Sequence, residues 1–143
     1  MSVEAILRTK GSDVATIAPT ATTMVAARTM KERKIGALVV VDEGKILGII
    51  TERDVVNAVV ERGGGALGDN VAAVMRANVV SCTRKDSLKA IMEKMTVHRT
   101  RHLPVIEDGA LVGMVSIGDA VKKRLEEAEL EAGVLRDAYI ARG

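Results

Sequence analysis

The sequence predicts an α+β fold built from two copies of one β-α-β-β-α unit, and three observations carry that expectation. Residues 13–54 overlie residues 78–119 without a gap at an offset of 65, with apolar positions corresponding almost throughout. Each copy holds two β-branched, apolar runs around a tight polar turn containing glycine, ALVVVDEGKILGII and HLPVIEDGALVGMV, which is the pattern of a hairpin. Each copy then closes on the same short motif, GIITERD (Gly48 to Asp54) and GMVSIGD (Gly113 to Asp119).

Taken in order, VEAILR (Val3 to Arg8) resembles VAAVMR (Val71 to Arg76), with three extra residues following it in the first copy. The stretches DVATIAP and NVVSCTR read as short strands. A helix follows in each copy. The first runs from about Thr20 to Lys34 with Val25, Ala26 and Met30 inward; the second has Asp86 or Ser87 as its N-cap and Leu88, Ile91, Met92 and Met95 on one face. After each hairpin the motif aspartate starts another helix, VVNAVVER or AVKKRLEEAELEAG. GGGALGDN reads as a flexible connection. These readings divide the chain into a first repeat at 3–62, a glycine-rich linker at 63–70, a second repeat at 71–125 and a helical extension at 126–143. A unit of fifty to sixty residues, roughly, buries too little surface to be comfortably stable alone. Packing the two copies sheet to sheet solves that problem and leaves pseudo-symmetric clefts between them.

Composition narrows the function. The chain has 143 residues, 48% hydrophobic and 28% charged, with no Trp, no Phe and one tyrosine, so a folded protein with an aliphatic core is expected. A net charge of +2 gives no strong field for nucleic acid or an anionic membrane, and stacking platforms for bases are missing. No apolar run is long enough to span a bilayer, and none reads as a signal peptide. The single cysteine, Cys82, cannot form an internal disulfide; it is repeat-equivalent to Ile17 and reads as a small buried hydrophobe. A cytoplasmic location is the simplest expectation. His98 and His102 are four apart, but a Pro-led strand follows at once and no nearby acid completes a metal set, so no metal is expected. No nucleophile has an activating base in sequence reach, so no enzyme is expected.

The repeated motif admits two readings. Asp54 and Asp119 lie in the first turn of a helix, where a carboxylate caps backbone N–H groups. The same geometry suits a nucleoside phosphate: a helix N-terminus beside the Thr51 or Ser116 hydroxyl attracts phosphate, and an ionised aspartate accepts both hydroxyls of a ribose. HRTRHLP brings Arg101 and His102 to the second copy; arginine grips phosphate bidentately, although such a charge run is also an ordinary solvated helix end. In the first copy Ile35, Gly36 and Ala37 are small or apolar enough to lie against a flat base.

The duplicated β-α-β-β-α unit with a terminal G-h-h-[ST]-x-x-D resembles a pair of cystathionine-β-synthase (CBS) domains, the Bateman module, over about residues 3–125. The resemblance implies a regulatory, non-enzymatic module that binds an adenosine ligand (AMP, ADP, ATP or NAD(H)) in clefts between the repeats. One cleft would use Ser116 and Asp119 with Arg101 and His102 on phosphate, and Val14, Ala15, Ile35, Gly36 and Ala37 around the adenine. The other would use Thr51, Arg53 and Asp54, with Val79, Val80 and Thr100 around the adenine. It departs from the pattern because Gly36 stands where the second copy has Arg101, so the two sites are expected to be unequal. The resemblance to small plant organellar CBS-pair proteins, thought to act on thioredoxins, implies an alternative: a protein-interaction module regulating a partner enzyme. In the last helix Val121, Leu125, Ala128, Ala132, Leu135 and Tyr139 form a stripe that continues past the repeat. It either packs on a second copy, giving a homodimer, or folds back on its own core.

Overall fold

A computed structural model describes residues 2–142. The chain runs α1 (Val3–Lys10), β1 (Thr16–Ile17), α2 (Thr23–Arg33), β2 (Ala37–Asp42), β3 (Lys45–Thr51) and α3 (Glu52–Arg62). A 3-10 turn (Gly64–Gly68) leads to α4 (Val71–Val74), α5 (Leu88–His98), β4 (His102–Glu107), β5 (Ala110–Ser116) and α6 (Ile117–Arg142). From α2 onward, each major element of the first repeat starts 65 positions before its counterpart: Thr23 with Leu88, Ala37 with His102, Lys45 with Ala110, Glu52 with Ile117. The hairpins turn alike. Glu43 and Gly44 have φ of 49° and 77°, and Asp108 and Gly109 have 50° and 79°, the paired left-handed residues of a two-residue type I′ turn.

The sheets differ by one strand. In the first, β1 runs parallel to β2, which pairs antiparallel with β3. The second sheet is β4 and β5 alone, and the expected leading strand shrinks to a bridge between Cys82 and Val105. A proline explains the loss. In the first repeat the Val39 N–H donates to Ala15 O at 3.1 Å; the residue 65 positions on is Pro104, which has no N–H to donate.

Two cores form, and each is completed by the segment that opens the other repeat. Val3, Ile6 and Leu7 of α1 pack with Leu88, Ile91, Leu103 and Val115 of the second repeat. Backbone bonds from Val3 N to Asp86 O (2.9 Å) and Glu4 N to Arg84 O (3.0 Å) fix α1 there. Conversely, Val71 of α4 is buried with Ala26, Met30, Leu38, Val40 and Ile50 of the first repeat. The segment after α4 pairs with β3, Ile49 and Arg76 exchanging bonds of 3.0 and 2.9 Å. Leu38, Val40 and Ile50 thus meet helices, while the alternate residues Ala37, Val39 and Ile49 are also buried. With period-two alternation those residues occupy the opposite face. A cleft lined jointly by Gly36, Ala37, His102, Met114 and Ser116 places the helix-free faces of the two sheets opposite one another.

Two expectations need correction. Val25 is 48% exposed, because Thr23, Ala26 and Met30 define the buried stripe of α2 and Val25 lies off it. The glycine-rich connection is not a loose tether: Ala66 is 1% exposed, and Asp69 O accepts from Thr23 N (2.8 Å) and Thr23 Oγ1 (2.9 Å). Cys82 is buried in the second core, where loss of solvation pushes its thiol up to about 12, so it stays protonated.

The exchange explains the glycine that opens each motif. A Cβ on Gly48 would lie 2.5 Å from Arg76 O, whereas one on Gly113 would lie 2.7 Å from Leu7 Cδ2. A backbone carbonyl in a paired segment cannot step aside; the end of a leucine can. Overpacking costs about 1–3 kcal/mol, so Gly48→Ala is expected near the top of that range and Gly113→Ala near the bottom. Urea denaturation of the two variants checks the order; equal losses would contradict it.

Candidate functional site

Both motif aspartates cap helices. Thr51 N and Thr51 Oγ1 each donate to Asp54 Oδ2 at 2.9 Å, and Asp54 N donates to Thr51 Oγ1 at 3.2 Å. Ser116 N donates to Asp119 Oδ2 at 2.9 Å, and Asp119 N donates to Ser116 Oγ at 3.2 Å. These reciprocal bonds form a capping box at the start of α3 and of α6.

The copies diverge in what the exchanged segments bring to the carboxylate. Arg76, following α4, donates from Nε to Asp54 Oδ1 at 2.9 Å. Both oxygens of Asp54 are then engaged, and the residue is 8% exposed. Lys10, at the end of α1, donates from Nζ to Asp119 Oδ2 at 2.7 Å and to Met114 O at 2.9 Å. Every bond to the Asp119 carboxylate falls on Oδ2, so Oδ1 has no partner among the described residues. Burial pushes the Asp119 carboxyl up, but Lys10 and the Ser116 N–H more than offset it and hold it below the usual value. It is ionised at neutral pH with an acceptor to spare.

A cleft of about 320 Å³ opens on this aspartate. Eight of the nine residues expected there line it: Val14, Ala15, Ile35, Gly36, Ala37, His102, Ser116 and Asp119. Arg101 does not; it borders a neighbouring cleft of about 640 Å³. Lys10, Asp13, Lys34 and Met114 also line the smaller cleft and were not foreseen. The repeat gave no signal for Lys10, because pairing VEAILR with VAAVMR sets Arg8, not Lys10, against Arg76. His102 packs so closely on Gly36 that a methyl group there would lie 3.0 Å from its Nε2. Burial and the Lys10 charge lower the His102 pKa against the pull of Glu52 and Asp119, so the ring is neutral at pH 7.

The second expected site is not assembled in the same way. Thr51, Arg53 and Thr100 line the 640 Å³ cleft, together with Arg76, Arg99, Arg101, Ser116 and Gly118. Asp54 does not, because Thr51 and Arg76 enclose it. Val79 and Val80 border neither cleft, and Val80 packs against the second core. Among the described residues no group of three His, Cys, Asp or Glu could hold a metal, and no helix is long and apolar enough to cross a membrane.

Residues 3–61 and 71–126 match the family model of the CBS domain. The chain belongs to the CBS domain family. The CBS-domain-containing protein ATU1752 from Agrobacterium tumefaciens is 46% identical, with a TM-score of 0.85 over 87% of this chain and 99% of that one. The CBS domain-containing protein CBSX3, mitochondrial, from Arabidopsis thaliana is 37% identical over 82% of this chain and 59% of its own length, so this chain spans little more than half of that relative. The CBS domain pair of protein MJ0100, solved in complex with 5-methylthioadenosine and S-adenosyl-L-methionine, is 26% identical, with a TM-score of 0.77 over 90% of this chain and 98% of that one. CBS pairs are in general regulatory rather than catalytic modules.

The histidine gives a pH signature. Its folded pKa lies below the ordinary 6.5, so between those two values the unfolded chain binds more protons. The contribution of His102 is therefore complete above about pH 6.5 and lost as pH falls from there towards the folded pKa. Each proton is worth at most about 1.4 kcal/mol per pH unit. Denaturation midpoints at pH 7.5 and 5.5 are expected to converge in His102→Gln relative to the wild type; an unchanged difference would contradict the assignment.

Proposed function

We propose that this CBS pair is a non-enzymatic regulatory module that binds an adenosine ligand, with the ribose on Asp119 and the base between the repeats. One observation carries the reading: an ionised aspartate with one unpartnered oxygen faces a cleft whose opposite wall is Val14, Ala15, Ile35, Gly36 and Ala37. A ribose diol needs the acceptor, and a flat base needs small, apolar neighbours. MJ0100, which carries two adenosine-containing ligands, supports the ligand class. Lys10 would then exchange its bond to Asp119 for one to the ligand, and α1 would carry the occupancy of the cleft to the second repeat's core. Asp54 already has its partners, so the pseudo-symmetric position takes no ribose.

Calorimetric titration with adenosine, AMP, ATP and S-adenosylmethionine tests this. A hydrogen bond to a charged group contributes about 1.5–3 kcal/mol, and about 1.4 kcal/mol is tenfold in affinity. Asp119→Ala is expected to weaken binding at least about tenfold. Asp54→Ala should lower the melting temperature through its lost cap while leaving affinity within about twofold. The reverse pattern, or no binding of any adenosine ligand, would overturn the reading.

The acting form is proposed to be a homodimer. Val121, Leu125, Leu135 and Tyr139 are 46%, 58%, 72% and 80% exposed on α6, so the stripe does not fold back on its own core. Light scattering is expected to show a dimer at micromolar concentration that Leu125→Glu with Leu135→Glu converts to monomer; a monomeric wild type would contradict it.

A further inference from the structure

From Ala128 to Ile140 every residue of α6 except Gly133 is exposed, so this half of the helix lies on nothing within its own chain. Its apolar stripe alternates steps of four and three residues, the spacing of a seam between two helices. The positions beside that seam carry both signs of charge: Lys122 and Glu129 on one flank, Arg124 and Glu131 on the other. A second α6 laid alongside in the opposite direction brings Lys122 to Glu129 and Arg124 to Glu131, each pair formed twice by the two-fold symmetry. A surface so matched to itself fits a second copy of this chain better than a partner of one charge.

Charge alone admits either direction, since a parallel pair would set Arg124 near Glu129. Side-chain size decides between them. Parallel helices face each stripe residue with itself, which stacks Ala128 on Ala128 and Ala132 on Ala132 in successive underfilled layers. Antiparallel helices with the axis between residues 126 and 127 face Val121 with Ala132, Leu125 with Ala128 and Leu135 with Gly118. A larger residue then meets a smaller one in every layer. Gly118 has room for such a guest, because a Cβ there would meet nothing nearer than Ser116 Oγ at 3.6 Å.

We propose that two copies pair through α6 in this antiparallel register, and that each places its Tyr139 over the larger cleft of the other. At 1.5 Å per residue Tyr139 lies about 19 Å from the axis, and the first residue of the facing helix, Ile117, lies about 14 Å from it. The ring therefore passes the start of that helix by about 5 Å. Ser116, Ile117 and Gly118 form that edge of the larger cleft, whose other lining residues include Arg53, Arg99 and Arg101. The one aromatic side chain of the chain thus meets guanidinium groups, which favour an aromatic face. The proposal rests on the homodimer reading above and adds a direction, a register and a residue that each copy lends to its partner's cleft.

Cysteine crosslinking of the full chain reads the register, because Cys82 is buried and does not interfere. Val121→Cys with Ala132→Cys is expected to give covalent dimers on mild oxidation, whereas Ala132→Cys alone is not. The two positions are about 16 Å apart along one helix, too far for a bridge within the chain. Gly118→Leu should weaken the dimer about tenfold in sedimentation by crowding Leu135, and adding Leu135→Ala should restore it. Tyrosine fluorescence reports the cleft, since the chain has no Trp. Iodide should quench Tyr139 more than neutral acrylamide does, and Arg53→Gln with Arg99→Gln should reduce that preference. Crosslinking by Ala132→Cys alone, a Gly118→Leu defect that Leu135→Ala leaves in place, or an iodide preference indifferent to the two arginines would overturn the proposal. Any of these in a dimeric protein leaves the homodimer reading standing; a monomeric wild type would remove both.

Discussion

The core of each repeat is completed by the segment that opens the other, and the rest of the molecule depends on that exchange. Leu7 lies over Gly113, and the Arg76 carbonyl lies over Gly48, so the strand that ends in each motif can accept its crossing segment only where a side chain is missing. The exchange unites two units that are each too small to be comfortably stable. It also places the helix-free faces of the two sheets opposite one another, which creates the clefts. A ligand between the repeats would therefore sit against the same segments that join them.

The crossing segments also break the symmetry of the duplication. One delivers Arg76 to Asp54 and the other Lys10 to Asp119. The arginine engages the oxygen that the capping box leaves unused, and the lysine shares the oxygen already in use. A difference in which carboxylate oxygen accepts makes one aspartate a finished structural part and leaves the other with an oxygen unpartnered among the described residues. A duplicated fold in this way carries two different surfaces, a carboxylate with an open oxygen on one side and a cationic cleft on the other.

Much of the fold was legible in the chain because local rules set it. The 65-residue offset, the Glu43–Gly44 and Asp108–Gly109 turns and the Ser87 cap all follow from residue type and spacing. Pro104 was equally visible, and its missing N–H accounts for the one absent strand. The exchange was not legible, since periodicity records that α1 has a buried face but not whose core it enters. For the same reason Lys10 and Arg76 escaped notice, and Val79 and Val80 were assigned to a wall they do not form. Around Asp119, Ala37, His102 and Ser116 lie on hairpin strands that the repeat itself fixes, while Val14, Ala15, Ile35 and Gly36 lie on the segments leading into β1 and β2; all of them line one cleft.

The central claim is that the exchanged segments leave only Asp119 open to a ribose. A crystal structure of the chain grown with a saturating adenosine nucleotide tests it in a single observation. The expected result is a ribose diol on Asp119, with Lys10 moved off the carboxylate and the Arg76–Asp54 pair intact. A ribose seated on Asp54, with Arg76 displaced, would contradict it.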